Sequence, residues 1–302
     1  MRMICRTILI TVLLVVISVC GHELWKIFRQ YSEEAQIKDE LSQYRPEIPE
    51  TQSVTKYIKN TEILEDKKDI EDIKSIEDEI YISNTANDLP DNVIELPNTT
   101  FEEETTQSTV SEKIINQSII DMQNEINNDI VGWLTIPNTK IDYPFVIAKD
   151  NDFYLRRNIY KNQAGAGSIF MDYRCDRDFT DFNTVIYGHE MKNRSMFGDL
   201  KLFADPSFFD SNLSGTLFIK DNTYTLEIFA CMVVRADDKL IYNPSADREN
   251  FFAYAKKYAR QYHEPSVAGN VVTLSTCAYE YDGARIVLLA VRASEEWVHA
   301  KE

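Results

Sequence analysis

The pattern of apolar and polar positions along the chain changes near residue 112. From there to the C-terminus, short apolar or alternating runs rich in Val, Ile, Phe and Tyr are separated by turn residues such as Pro137-Asn138 and Asp282-Gly283. Runs of this kind are typical of β-strands. The pattern predicts eight strands, at residues 131–136, 141–148, 168–173, 184–187, 215–220, 224–235, 271–276 and 285–292.

Three stretches show helical spacing instead. Residues 112–128 repeat isoleucine or methionine at the spacing of one helical face, and helices are also predicted at 196–204 and 248–262. The last of these precedes the strand at 271–276. Eight short strands with few crossover helices favour a mainly β fold, an antiparallel or mixed β-barrel, over a parallel α/β sheet.

Residues 1–29 form a separate N-terminal segment, in which Arg2 and Arg6 precede about 15 mostly apolar residues, fewer than the roughly 20 of a full membrane span. An uncleaved single-pass anchor with both arginines on the cytoplasmic side is the favoured interpretation. A cleaved signal peptide and a lipoprotein signal ending at Cys20 are the alternatives. No small-x-small cleavage site is evident, and Val19 stands where a lipoprotein signal normally has a small residue. All three interpretations export the rest of the chain.

Residues 30–111 are predicted to form an acidic, largely disordered spacer ahead of a folded domain at 112–302. Of the formal net charge of −17, residues 30–112 carry −15, from 22 acidic and 7 basic side chains. Four isoleucines between residues 70 and 80 recur at helical spacing, which is compatible with a transient helix or with a short coiled coil. The following stretch, residues 84–111, has the composition of a disordered chain.

Charge and cysteine content narrow the functional classes. The folded part is close to charge balance and has no basic face, so the sequence gives no support for nucleic-acid binding. Beyond the N-terminal segment the chain has three cysteines, an odd number, so a monomer keeps at least one free thiol. Cys231 lies in an apolar run and is expected to be buried, whereas Cys175, in a polar turn, is expected to be an exposed spectator or a partner of Cys231. No Cys-x-x-Cys pair or histidine cluster occurs, and neither a metal site nor a cofactor is predicted.

The candidate chemistry begins at Cys277. This residue ends the predicted strand 271–276, and the turn at Asp282-Gly283 returns the chain so that Arg285 begins the next strand. The sequence therefore predicts a thiol and a guanidinium at one edge of a sheet. A thiol is the best nucleophile among the side chains near neutral pH, and an arginine beside it favours the thiolate or binds a developing oxyanion.

Four histidines are available as the acid or base. His22 follows the apolar segment, His299 lies near the C-terminus, and His263 is expected to end the helix 248–262, where its charge complements the helix dipole. His189 follows an apolar strand and Gly188, and so lies where a strand leaves the sheet. We therefore select His189.

The residues around this histidine and cysteine resemble the class B sortases, membrane-anchored cysteine transpeptidases of Gram-positive bacteria. The resemblance rests on Asn183-Thr-Val-Ile-Tyr-Gly-His-Glu-Met, Ser195-Met-Phe-Gly-Asp-Leu and Thr273-Leu-Ser-Thr-Cys with its downstream Arg285, and it covers roughly residues 112–295. It implies a closed eight-stranded sortase-type β-barrel, with an N-terminal helix and a helix inserted before the cysteine strand.

The resemblance also implies a division of labour. Cys277 would attack the carbonyl of a Thr in a sorting signal to form a thioester, His189 would protonate the departing amine, and Arg285 would hold the substrate or the oxyanion. The partners implied are surface proteins bearing a sorting signal, an amine of peptidoglycan or of its lipid-linked precursor, and the membrane. Near pH 7 an ordinary thiol and an ordinary imidazole are mostly neutral together, so either the site shifts both or a minority of molecules carries the reactive ion pair.

Four more positions match the sorting-signal groove of the family: Asn151, Leu155, Tyr187 and Ser275. The alternative is that Leu155 and Tyr187 are core residues and that Ser275 is a hydrogen-bonded hydroxyl. Position 278 is Ala, where some class B members are polar or acidic. The alternative functions are a pilin-polymerising or class D-like sortase, and a membrane-tethered binding module that has lost catalysis.

Overall fold

The computed structural model describes residues 2–47, 115–277 and 283–293. All of these except Glu47 belong to one of the chain's two structural units, which combines residues 1–46 with 113–302. The helical spacing at residues 70–80 and the disorder predicted for 84–111 lie outside the described residues, as does nearly all of the predicted spacer.

A closed β-barrel dominates the described part of the chain. Its strands are β1 (Ile130–Thr135), β2 (Asp142–Ile147), β3 (Ile169–Met171), β4 (Asn183–Tyr187), β5 (Ser214–Ile219), β6 (Asn222–Arg235), β7 (Gln261–Tyr262), β8 (Asn270–Cys277) and β9 (Ala284–Ala293). They are ordered β5-β1-β2-β3-β4-β8-β9-β6-β7, and pairing of β5 with β6 closes a ring of eight to which β7 is appended. The predicted closed, eight-stranded, mainly β barrel is confirmed. The pairs β2–β3 and β4–β8 are parallel and the other pairs are antiparallel.

The helices of the described residues surround this barrel. They are α1 (Arg2–Leu41), α2 (Gln117–Glu125), α3 (Pro206–Asp210) and α4 (Arg248–Tyr258), with 3-10 turns at Ser42–Tyr44, Tyr154–Arg156 and Gly198–Ala204. The helix predicted at residues 112–128, at the start of the barrel domain, is thus present as α2, and the predicted helix before the cysteine strand is present as α4. The 3-10 turn at Gly198–Ala204 occupies most of the helix predicted at 196–204.

Two hydrophobic cores explain why β1 is buried along its whole length. Val131 and Leu134 point into the barrel interior, while Ile130 and Trp133 belong to a second core outside it. Successive strand residues face opposite sides, and a register shift between Ile130 and Gly132 adjusts the alternation. The outer core is covered by α2 through Ile119 and Met122 and by the end of α1 through Leu41. A strand covered on both faces reads as a continuous apolar run, as this one does.

The helix α1 has two parts with different surroundings. Its N-terminal part exposes large apolar side chains, with Leu9 69% and Phe28 70% exposed, and the helix is long and apolar enough to cross a membrane. Its C-terminal part packs on the barrel: Leu41 is buried, and Lys38 Nζ donates to the carbonyl of Lys140 at 2.9 Å. The boundary predicted between residues 29 and 30 therefore falls inside a continuous helix. The composition of this part of the chain did not predict the packing, because its few apolar contact residues lie among many acidic and polar ones.

The helix α4 is shorter than predicted. Asp247 caps its start by accepting from the backbone N–H of Asn250 at 2.9 Å, and the helix ends at Tyr258 rather than at residue 262. The following residues form β7, which pairs Gln261 with Cys231. The placement of His263 at a helix end was therefore wrong. Its backbone N–H bonds to the carbonyl of Phe229 at 2.8 Å, because the sheet provides partners that a longer helix would not.

The two thiols away from the cysteine strand are separate and buried. Cys175 and Cys231 are both buried and form no disulfide, so neither the exposed-spectator nor the disulfide expectation for Cys175 is correct. The Cys175 sulfur accepts the backbone N–H of Val185 at 3.4 Å. Burial raises the pKa of the Cys175 thiol to about 12. The polar residues around Cys175 suggested an exposed turn. Asp172 and Arg174 instead form an ion pair with each other beside the buried thiol.

Candidate active site

Two parallel strands bring the candidate catalytic residues to one edge of the barrel. β4 and β8 run side by side with Tyr187 opposite Ser275, so His189 and Cys277, each two residues further on, follow the same edge. β9 returns antiparallel, and its Arg285 pairs with Cys277 through the backbone. The side chain of Cys277, like residues 278–282, lies outside what the structure describes.

An open cleft of about 610 Å³ lies at this edge. Six residues selected from the sequence line it: Asn151, Leu155, Tyr187, His189, Ser275 and Arg285. The same cleft is lined by Phe170, Gly188, Ala236, Tyr242 and Thr276. The structure therefore brings together the predicted histidine, arginine and substrate-groove positions, beside the strand end that carries the predicted nucleophile.

The half-buried His189 ring is held by the backbone of a neighbouring loop. Its Nε2 lies 2.7 Å from the carbonyl oxygen of Leu155. Because a carbonyl oxygen only accepts, Nε2 carries a hydrogen, and Nδ1 is the ring nitrogen left to gain or lose a proton. The contact persists in both the neutral and the charged ring, so the imidazole is able to transfer a proton without losing its orientation.

The glycine before the histidine is required by packing. A Cβ on Gly188 would lie 2.5 Å from the Cδ1 of Ile169 and 2.7 Å from the ring of Phe197. Those two side chains are buried in the barrel core. Core side chains therefore approach the backbone at Gly188 too closely for a larger residue, and the chain turns there immediately before His189.

The guanidinium of Arg285 is half-buried at the cleft. Its Nη1 donates to the backbone carbonyl of Ala284 at 2.8 Å, which ties the side chain to the start of β9. A guanidinium has five N–H donors in a fixed plane. Arg285 is thus equipped to offer further donors to a carbonyl oxygen, or to an oxyanion formed from one, beside the Cys277 backbone.

One wall of the cleft is a hydrogen-bonded network. The hydroxyl of Tyr187 donates to Asp172 Oδ2 at 2.9 Å, and Asn151 Nδ2 donates to the same oxygen at 3.1 Å. Burial opposes ionisation of Asp172 and is the largest influence, but hydrogen bonds from Arg174 and Tyr187 together lower the pKa of this carboxyl below its ordinary value. Burial and the adjacent Asp172 raise the pKa of the Tyr187 hydroxyl far above its ordinary value. Ser275 Oγ lies 2.9 Å from the hydroxyl of Tyr242.

Sequence reasoning missed part of this wall. Asp172 had a signal, since it is a single acidic residue at the end of an apolar strand, but Tyr242 comes from an irregular loop that gave none. Phe170 was covered by the prediction of a strand, without a role. Across residues 2–47, 115–277 and 283–293, no three His, Cys, Asp or Glu side chains are grouped so that they could hold a metal ion.

A family model described as the sortase domain matches residues 134–293, more than half of the chain. The chain belongs to the sortase family. The matched segment contains the strand that ends at Cys277 as well as His189 and Arg285.

Individual relatives assign the class. Sortase B of Listeria monocytogenes is 39% identical to this sortase over 181 residues, which cover 58% of this chain and 73% of the relative. The solved structure of Clostridium perfringens sortase B is 32% identical, with a TM-score of 0.54, over 58% of this chain and 99% of that one. A Streptococcus pyogenes class B sortase involved in pilus biogenesis is 31% identical, with a TM-score of 0.54, over 58% and 97% of the two chains. This sortase is therefore a class B enzyme, a cysteine transpeptidase.

Proposed function

We propose that this sortase cleaves the sorting signal of a surface protein after its Thr and transfers the acyl group to an amine. The amine belongs to peptidoglycan or to its lipid-linked precursor. One observation carries the proposal: His189 and Arg285 line a single cleft at the strand end formed by Cys277. No metal or organic cofactor takes part in the proposed steps.

In the first half-reaction, the Cys277 thiolate attacks the carbonyl carbon of the substrate Thr. The carbonyl oxygen becomes an oxyanion, to which the Arg285 guanidinium donates hydrogen bonds. The C–N bond then breaks, and the leaving amine takes a proton from Nδ1 of His189, whose Nε2 hydrogen stays on the Leu155 carbonyl. The products are a thioester on Cys277 and the released C-terminal peptide.

In the second half-reaction, an incoming amine attacks the thioester. His189, now neutral at Nδ1, accepts the proton that the amine loses as the new C–N bond forms. The sulfur leaves as thiolate, and the enzyme returns to its starting protonation state. Both half-reactions use the same three side chains. The proton that His189 gives up and the thiolate that Cys277 loses in the first are restored in the second.

The cleft also suits an extended peptide. Its aromatic wall, formed by Phe170, Tyr187 and Tyr242, gives apolar surface for substrate side chains. Asn151 and Ser275 contribute polar groups to the same surface. These residues, together with Leu155, form the proposed sorting-signal groove.

The proposed location is the outer face of a cell membrane, with α1 as a single-pass anchor. Its exposed apolar residues from Leu9 to Phe28 suit a lipid environment, and Arg2 and Arg6 at its start suit the cytoplasmic side. The catalytic domain, residues 112–302, then faces the cell wall, where sorting signals and peptidoglycan amines are found.

Full-length protein in detergent, incubated with Ser/Asn-Pro-x-Thr-Gly/Asn peptides, tests the proposal. Wild type should cleave after Thr and show a thioester adduct by mass spectrometry, and an added amine should divert hydrolysis into transpeptidation. Cys277→Ala should abolish both cleavage and adduct. The matched control is Cys231→Ala, a buried thiol remote from the chemistry, which should retain activity.

Two results would contradict it. Cleavage by Cys277→Ala at the wild-type rate would remove the nucleophile assignment. A wild-type protein that binds such peptides but neither cleaves them nor forms an adduct would favour the alternative of a tethered binding module.

A pilin-polymerising activity is the second candidate. It is favoured by the similarity in sequence and fold to the Streptococcus pyogenes class B sortase involved in pilus biogenesis. The chemistry would be unchanged and only the amine would differ. Competition between a lysine-bearing pilin peptide and a peptidoglycan stem peptide separates the two, since the preferred acceptor should dominate the products.

A further inference from the structure

A buried carboxylate lies directly behind one wall of the cleft. Asp172 follows β3, is fully buried, and bonds through its backbone N–H to the carbonyl of Val185 in β4 at 2.9 Å. An ionised carboxylate in a protein interior is strongly unfavourable unless it is paired and hydrogen-bonded. The Asp172 carboxylate therefore needs a positively charged partner and hydrogen-bond donors inside the structure.

Arg174 supplies that pairing. Its Nε donates to Asp172 Oδ1 at 2.9 Å and its Nη2 to Oδ2 at 2.7 Å, in the two-point geometry of an arginine–carboxylate pair. The backbone N–H of Arg174 adds a third bond to Oδ1 at 3.0 Å. The two remaining donors, Asn151 Nδ2 and the Tyr187 hydroxyl, both belong to residues that line the cleft.

The charge on Asp172 determines which atoms of Tyr187 and Asn151 donate hydrogen bonds and which accept them. An ionised carboxylate only accepts, so the Tyr187 hydroxyl must donate to it and its oxygen is left as an acceptor. The Asn151 amide must turn its nitrogen towards Asp172, and its Oδ1 accepts the backbone N–H of Tyr173 at 3.1 Å. One acceptor on Tyr187 and the second amide hydrogen of Asn151 are thereby set for the N–H and C=O groups of a peptide.

The same ion pair also contacts another residue of this wall, Tyr242. Arg174 Nη2 also donates to the carbonyl of Tyr242 at 2.8 Å, and the Tyr242 hydroxyl bonds to Ser275 Oγ. The pair thus connects four cleft residues that are far apart in the sequence. By contrast, the His189 ring contacts the carbonyl of Leu155, and the Arg285 guanidinium contacts the carbonyl of Ala284.

We propose that Asp172, held by Arg174, is a positioning residue that sets the hydrogen-bond polarity of the substrate wall and so determines peptide affinity. The proposal rests on the proposed function, in which this cleft binds an extended sorting-signal peptide. Because the pair contacts the wall and not the acid–base groups, its loss affects substrate binding more than the chemical step.

The test is Asp172→Asn in the full-length enzyme, because asparagine keeps the shape but can donate as well as accept. We expect KM for the sorting-signal peptide to rise about tenfold, the loss typical of a hydrogen bond to a charged group, with kcat within about threefold of wild type. Alkylation of Cys277 by iodoacetamide, which needs no peptide groove, should proceed within about twofold of the wild-type rate.

The matched control is Asp199→Asn. Asp199 is also fully buried, and its Oδ1 pairs with a half-exposed arginine, Arg194, at 2.6 Å, but neither residue lines the cleft. This variant should lose stability without a change in KM. An equal rise in KM in both variants would show a general structural effect and overturn the proposal.

Other outcomes are equally decisive. An unchanged KM in Asp172→Asn, or a parallel loss of Cys277 alkylation, would overturn the positioning role while leaving the proposed function standing. A wild-type enzyme that cleaves no such peptide would overturn the proposed function and this proposal with it.

Should Asp172→Asn fail to fold, Arg174→Lys carries the test, because the Arg174 side chain is 44% exposed. Lysine keeps the charge but cannot bond both Asp172 oxygens and the Tyr242 carbonyl from one plane. KM should rise several-fold at nearly constant kcat, and an unchanged KM would overturn the proposal.

Discussion

Two histidines on the same barrel are held by different kinds of partner in different surroundings. His189 lies in the cleft, with Nε2 2.7 Å from a backbone carbonyl, that of Leu155. His263 lies on the surface, with Nε2 2.9 Å from the Asp210 carboxylate and its ring stacked on Phe209 at 5.4 Å. Both rings are held, but by different kinds of acceptor.

The difference is chemical as well as positional. A carbonyl orients the ring in both of its protonation states, so a proton exchanged at the other nitrogen leaves the geometry intact. A carboxylate acts on the charged ring as an ion pair, and at an exposed site such a pair contributes little to stability. The contact at His189 is compatible with the proposed transfer of a proton at Nδ1, whereas His263 joins α3 to the segment after β7.

The largest effect is expected when His189, the proposed acid–base residue, is removed. His189→Ala should lower kcat for peptide cleavage by about 10²- to 10⁴-fold, the usual contribution of a positioned acid or base, with little change in thermal unfolding. Steady-state cleavage of a sorting-signal peptide measures this. A loss below fivefold would mean that another group transfers the proton.

The second prediction extends the comparison to thiols, one at the strand end beside the cleft and one in the core. Burial raises the pKa of Cys175 to about 12, so at pH 8 its thiolate fraction is about a thousandfold below that of an ordinary thiol. Native-state alkylation at pH 8 should therefore modify Cys277 while sparing Cys175, as read by peptide mass mapping.

The buried Cys175 thiol also predicts how the stability of the protein changes at alkaline pH. Because folding keeps this thiol neutral, its contribution to the free energy of unfolding is complete below the ordinary thiol pKa and is lost as the pH rises towards 12. Cys175→Ala should therefore flatten the fall of the unfolding free energy between about pH 9 and pH 12. An unchanged slope would argue that this thiol is not held neutral by burial.

A fourth prediction sharpens the comparison by moving His189 without removing it. Gly188→Ala places a Cβ against Ile169 and Phe197, so either these buried side chains or the backbone before His189 must shift, which disturbs the position of the His189 ring. We expect about a tenfold loss of kcat and a destabilisation of about 1–3 kcal/mol, as for overpacked cores. Gly215→Ala, where the nearest atom lies 3.2 Å away in a region remote from the cleft, is the control and should keep its kcat.

The smallest effect is expected at the surface histidine. His263→Ala should leave kcat and KM within about twofold and change the unfolding free energy by about 1 kcal/mol or less, since the pair with Asp210 is exposed. Thermal unfolding and peptide cleavage measure both quantities. A large loss of activity here would break the distinction between the two histidines.

Much of the barrel was predictable because its signals are local. All eight predicted strands lie within about two residues of their positions at both ends, since an apolar run bounded by turn residues specifies a buried strand. The third strand is shorter than predicted, at Ile169–Met171, and it is followed directly by Asp172, whose side chain pairs with Arg174. The end of α4 was misplaced because β6 offered the chain a sheet partner that periodicity cannot reveal.

By itself the sequence determined which residues are candidates for the chemistry and which strands carry them. Thr273-Leu-Ser-Thr-Cys277, the strand before His189, and Arg285 after a turn are local patterns, and their chemistry is readable from residue type. Only the tertiary structure decided what surrounds them: the Leu155 carbonyl at His189, the burial of Cys175, the docking of α1, and the network around Asp172. These features depend on contacts between distant segments, whose free energy comes from burial and pairing and is not written in any one stretch of the chain.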